Sequence, residues 1–175
     1  MPTIRHLALA AVLFLAGCAA SAPRAPAPPL DSPAVVGWLT ARASALSGGA
    51  PVVLRVVDDA VIQGQLEADD TLTLHRGLLL RLRDEAEATF VIAHELAHRE
   101  LGHFAQRARG TDWDADAAEH AADRRALEVL QQMGLRPDAG TSLLSALAGE
   151  FEAIPDLDPK AREVVAKRLE LLWEL

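Results

Sequence analysis

The run Ala93-His94-Glu95-Leu96-Ala97-His98 sets two histidines four residues apart, with a glutamate directly after the first. Its surroundings, Ala86, Ala88, Phe90, Val91, Ile92, Leu96, Ala97 and Leu101, are apolar enough to bury most of a helix. Asp84-Glu85-Ala86-Glu87 precedes them as a capping box, with an N-cap aspartate and a glutamate three residues on. In a helix, residues i and i+4 lie on one face a turn apart, so His94 and His98 can offer two imidazole nitrogens to one ion. Glu95 is turned by about 100° from His94 and borders that face. Ionisable side chains in the middle of a buried helix need partners or a chemical task. A fold around this stretch must therefore bury the helix and still open one face of it.

Histidine nitrogens and carboxylates suit zinc, which in a catalytic site takes three protein ligands and leaves a fourth position for water. A carboxylate beside that water can take its proton. The pattern H-E-x-x-H-x-x-G-x-x-H is not met, because Leu101 and Phe104 stand where its glycine and third histidine would fall. The third ligand is expected on a later helix, in Glu119-His120-Ala121-Ala122-Asp123, within a helical run from Asp114 to Met133 that Gly134 can close. Glu119 and Asp123 share a face. Glu119 is expected to bind the metal, and Asp123 to accept the free N–H of a ligand histidine.

Seventeen basic against 25 acidic residues give a net charge of −8 in a chain of 175 residues. With no Lys/Arg-rich tract, that balance argues against nucleic acid as a partner. The length allows one domain. The single cysteine excludes an intrachain disulfide framework and a cysteine-rich zinc site. Residues 1–17 read as a signal peptide, with Arg5 and His6 followed by the apolar run Leu7 to Ala16. Leu15-Ala16-Gly17-Cys18 resembles the bacterial lipobox, which implies cleavage before Cys18 and lipidation, palmitate included, of the new N-terminus. Residues 18–33 are Ala/Pro-rich and read as an extended tether. The expected address is the bacterial cell envelope, on the outer membrane facing the periplasm if the cell is Gram-negative.

The folded domain is expected over 34–175. Ser32-Pro33 is an N-cap and first-turn proline, and Val35, Val36, Leu39, Ala43 and Leu46 keep helical spacing up to Gly48-Gly49. Strands are expected at Pro51–Val57, Val61–Leu66 and Thr71–His75, then a short helix or turn over Gly77–Arg83. A helix from Pro137-Asp138 to Glu150 and a last one from Lys160 to Trp173 close the chain. The last is expected to be a packing helix, with Val164, Val165, Leu169 and Leu172 on its stripe. The fold class is α+β: a mostly helical domain with a small three-stranded sheet over the H-E-x-x-H helix.

Thr73-Leu74-His75-Arg76-Gly77-Leu78-Leu79, Asp84-Glu85-Ala86-Glu87, the helix with His94, Glu95, His98 and His103, and Glu119 with Ala122-Asp123 are together similar to the HtpX-, Oma- and CAAX-prenyl-protease-type zinc metallopeptidases, family forty-eight of the metallopeptidases, with a gluzincin site. The resemblance spans about Pro51 to Gly134. It implies a zinc-dependent endopeptidase with one Zn2+ per chain, held by His94, His98 and Glu119, with Glu95 as general base and Asp123 orienting His94. The family's Asn-Ala on the substrate strand is replaced by Gln63-Gly64, and its His-Pro before the last helix by Asp158-Pro159 with Arg162 nearby. No tyrosine is present to donate to an oxyanion, leaving Arg162, Arg124 or His120 for that part. His103 is expected on the far side of the helix in a structural role, and His75, which ends a strand, in a solvent-exposed turn, with a place lining the cleft as the alternative. The functional expectation is a lipid-anchored endopeptidase acting on protein or peptide substrates in the envelope, in quality control. The alternative is a zinc-binding envelope adaptor or chaperone-like lipoprotein with little turnover.

Overall fold

The computed structural model describes residues 32–110 and 113–173. Residues 1–31, on which the expected signal peptide, Cys18 and most of the expected tether fall, lie outside the described residues, and Pro33, the last residue of that tether, opens α1. The elements are α1 (Pro33–Leu46), β1 (Val53–Val57), β2 (Gly64–Leu66), β3 (Thr71–His75), α2 (Arg76–Leu79), α3 (Glu85–Glu100), α4 (His103–Arg109), α5 (Ala115–Gln132), α6 (Ala139–Glu152) and α7 (Pro159–Leu172). This is the α+β arrangement expected; β3 keeps its expected bounds, β1 loses Pro51 and Val52, and β2 is shortened to Gly64–Leu66. None of the described helices is long and apolar enough to cross a membrane.

Eleven of the sixteen residues of α3 are buried, so this helix is the axis of the domain and the rest is built around it. Phe90 and Ile92 are almost wholly enclosed, each contributing about 1.5–3 kcal/mol of apolar burial. Helices α5, α6 and α1 and strand β2 all pack on α3. Its N-terminus is capped as expected at one half of the box, the Asp84 carboxylate accepting the Glu87 N–H at 3.0 Å. The other half differs. Glu87 is fully buried and accepts from the Arg83 N–H at 2.8 Å, the Arg83 guanidinium and Arg136 at 2.9 Å. Two arginines draw it away from the cap.

The sheet has the order β1-β3-β2, with β1 parallel and β2 antiparallel to β3. Central β3 buries Leu72, Thr73 and Leu74, and β2 is a free edge over α3. His75 at the end of β3 is no exposed turn residue; its Nδ1 lies 2.8 Å from Asp59 Oδ1, pinning the β1–β2 connection. Gly77 in α2 is required by close approach, because the carbonyl oxygens of Ala60 and Val61 stand where a Cβ would go. The helix expected over Gly77–Arg83 is the single turn Arg76–Leu79.

Candidate metal and catalytic site

Helices α3 and α5 bring three donors together. His94 Nε2 and His98 Nε2 are 3.1 Å apart, and Glu119 sets Oε2 3.3 Å from the first and Oε1 3.5 Å from the second. A tetrahedral zinc with bonds of about 2.0–2.1 Å has ligand–ligand edges of about 3.3–3.4 Å. Two nitrogens and a carboxylate at this spacing therefore fit a zinc ion in chemistry and in size. The three residues form a group able to hold a metal, found among the described residues.

The surroundings orient these donors. His94 is buried, and its Nδ1 lies 2.8 Å from Asp123 Oδ1, the contact expected from the i, i+4 pair on α5. Asp123 is itself fully enclosed and needs a counter-charge, which comes from α7. Arg168 donates from Nε to Oδ2 at 2.9 Å and from Nη2 to Oδ1 at 2.5 Å. Its Nη1 lies 3.4 Å from Glu119 Oε2. Burial opposes the charge on Asp123, but Arg168 and His94 outweigh it and hold the carboxyl well below its ordinary range. Burial and Arg168 pull the His94 imidazole down, yet the Asp123 and Glu119 carboxylates prevail and raise it to about 9. His98 has no such carboxylate on Nδ1, so burial and the neighbouring His94 lower it to about 4.

Glu95 sits beside the donor triangle without joining it. Its Oε2 accepts the Leu66 N–H at 3.1 Å, which ties the helix to the sheet edge. Burial pushes its carboxyl above the ordinary value, the direction that suits a group exchanging protons near neutrality. The β2 register explains the contact. His75 N–H donates to Gln63 C=O at 3.0 Å and Glu67 N–H to Thr71 C=O at 2.8 Å, so alternate residues face β3. The main-chain groups of Gly64 and Leu66 then point out of the sheet, toward the cleft.

That cleft encloses about 730 Å3 and is lined by Gln63 and Gly64, by His94, Glu95, His98 and Glu119, and by Arg168. Leu143, Leu144, Leu147 and Phe151 of α6 add apolar lining, and α7 adds Val164 and Val165 beside Lys160. Gln63-Gly64 thus lies where the resemblance puts the substrate strand.

Several expectations are corrected here. Arg162 donates to the carbonyls of Phe151, at 3.0 Å, and Ile154; it closes the end of α6 and is not among the residues lining the cleft. Arg124 is exposed, and His120, its buried Nδ1 without a partner among the described residues, also lies outside the cleft lining. Helix α7 is more than packing, since it delivers Arg168. The sequence held a signal for this: Arg168 falls on the stripe of Val165, Leu169 and Leu172, at helical spacing i+3, i+4 and i+7. His103 is not on the far side of α3. The helix ends at Glu100, and His103 Nδ1 returns to within 2.9 Å of His98 Nδ1.

A helix carrying H-E-x-x-H under a small mixed sheet, with a carboxylate from the next long helix, makes this an α+β, zincin-like domain. Residues 41–113, less than half of the chain, match the model of Peptidase family M48. Metallopeptidases of the family are zinc-dependent in general. The match takes in the sheet, His94, Glu95, His98 and His103; Glu119, Asp123 and Arg168 lie beyond its end. No curated protein matches the chain.

Proposed function

We propose that the protein is a zinc-dependent endopeptidase, with His94, His98 and Glu119 holding one zinc and Glu95 acting as general base. The observation that supports this best is the meeting of three donors, His94 and His98 Nε2 3.1 Å apart with one Glu119 oxygen 3.3 Å from the first and the other 3.5 Å from the second, next to a carboxylate that is not among them. Zinc bound there supplies Lewis-acid polarisation of a carbonyl and of a water. An extended substrate pairs with the outward N–H and C=O of Gly64, and main-chain pairing of this kind tolerates varied side chains. Glu95 takes a proton from the attacking water while the Leu66 N–H holds its carboxylate in place. As the C–N bond breaks, Glu95 returns that proton to the leaving nitrogen. Arg168 keeps Asp123 ionised, and Asp123 keeps the proton of His94 on Nδ1, so that Nε2 faces the metal.

Lipid anchoring at Cys18 and envelope proteins as substrates belong to the same proposal, and they rest on the lipobox resemblance and the Ala/Pro-rich tether. Cell fractionation checks the anchor: the wild type is expected with membranes, and Cys18→Ser unprocessed or released. A wild type found wholly in the soluble fraction removes the anchor from the reading.

The deciding experiment for the chemistry is cleavage of an unfolded protein such as casein by the wild type and Glu95→Gln at equal zinc content. The variant should keep its metal and lose about 10²–10⁴-fold in rate. Equal rates would remove Glu95 as the base. Zinc in both with cleavage by neither would favour a zinc-binding adaptor.

A further inference from the structure

His94 and His98 turn the same nitrogen, Nε2, toward the donor triangle, so each must carry its proton on Nδ1 and find an acceptor for it. For His94 the acceptor is the Asp123 carboxylate. For His98 no carboxylate stands at Nδ1; the neighbour is His103 Nδ1 at 2.9 Å. The chain reaches this contact by a device of its own. After Leu101 caps α3, Gly102 takes φ +71°, a left-handed conformation that costs other residues about 1–2 kcal/mol, and reverses the backbone so that His103 opens α4. A Cβ at Gly102 would meet nothing within 4 Å, so the requirement there is for the turn and not for space. His103 is buried. Its ring is held edge-on between His98, at 5.0 Å between centroids, and Trp113, at 5.8 Å.

We propose that His103 is a positioning residue for the metal site: its unprotonated Nδ1 accepts the His98 Nδ1–H and fixes His98 in the tautomer that offers Nε2. The two ligand histidines are then braced differently, one by a buried carboxylate and one by a neutral imidazole. The inference rests on the zinc reading above, and its test keeps the two apart. In the full chain labelled with ¹⁵N and loaded with zinc, the His98 Nδ1 should be protonated. It should also show a nitrogen–nitrogen coupling through the hydrogen bond to His103 Nδ1. A chelator competition on the same preparation should show His103→Leu binding zinc about 10–100-fold more weakly, the range for loss of such a partner. His103→Asn places an amide oxygen near the lost Nδ1 and should recover most of that loss.

Wild-type affinity in His103→Leu overturns the proposal. So does a His103→Asn variant as weak as His103→Leu, because packing and not the acceptor would then explain the loss. Should His103→Leu fail to fold, the spectrum of the wild type decides alone, and a deprotonated His98 Nδ1 overturns the proposal. A wild type that holds no zinc overturns the zinc reading and this inference with it, which is a distinct result from zinc bound with unchanged affinity in the variants.

Discussion

The half of the domain formed by the sheet and α3 differs from the half formed by α5, α6 and α7 in how its residues serve the site. The first half supplies parts that act at one point: two imidazoles, the Glu95 carboxylate and the outward edge of β2. It is also where the family match lies. The second half supplies Glu119, and then Asp123 and Arg168, whose charges set the tautomer of His94. Neither half is a site alone. His94 without Asp123 has no fixed tautomer, and Asp123 without Arg168 is a buried carboxylate facing one imidazole. In this chain the match takes in His94, Glu95 and His98 and stops short of Glu119, Asp123 and Arg168.

The largest effect expected from this division is in Arg168→Met. The substitution leaves Asp123, fully enclosed, with no guanidinium, and breaking a buried pair from one side costs about 3–5 kcal/mol. At about 2–4 °C per kcal/mol for a domain of this size, the unfolding midpoint should fall by roughly 6–20 °C, measured with chelator present so that metal plays no part. A shift of a degree or two would mean that α7 is only packing after all, and the two halves would be far less dependent on each other than drawn here.

Glu119→Gln separates metal from fold within the same half. Glu119 is partly exposed, so the metal-free protein should unfold close to the wild-type midpoint. Zinc affinity should drop by more than the 10–100-fold typical of losing a partner behind a ligand, because a charged ligand is itself lost. Competition against a chelator of known affinity measures this. Unchanged affinity would break the assignment of the third ligand to α5.

What could be foreseen from the sequence follows the same line. His94, Glu95, His98, Glu119 and Asp123 were legible because helical periodicity converts spacing into a shared face, and the residue types then limit the chemistry. The elements were legible for a similar reason, with Ser32, Asp84 and Asp158 marking helix starts that the structure keeps. Arg168 was not, since a residue 45 positions from Asp123 meets it only through the packing of α7 on α5. Its one local trace was a charge on an apolar stripe. His103 was misplaced because a continuous helix puts it away from His98, and only the left-handed turn at Gly102 reverses that. The Leu66 N–H bond to Glu95 is a main-chain contact with no residue signature at all.

The smallest effect concerns the start of α3, where the two halves meet again. Asp84 caps the helix through the Glu87 N–H and also accepts from Arg136 Nε at 2.9 Å, and Arg136 belongs to the α5–α6 connection. Burial alone would raise the Asp84 carboxyl, but the Glu87 N–H and the Arg136 guanidinium prevail and hold it below the ordinary carboxylate value. A lowered folded value means that the stabilisation is present above the unfolded value and fades as pH falls through the folded one. Asp84→Ala should therefore lose about 1 kcal/mol for the N-cap together with the ion pair at neutral pH, and the gap to the wild type should narrow as pH falls through the lowered folded value of the carboxyl. Asp84→Asn keeps the capping oxygen and loses the charge, so it should lose only the ion pair with Arg136, about 0.2–1 kcal/mol for a pair open to solvent. Denaturant unfolding of the three proteins between neutral and acid pH measures both parts. If the asparagine variant is as unstable as the alanine one, the cap contributes nothing, and the tie to Arg136 across the two halves is what holds this end of the metal helix.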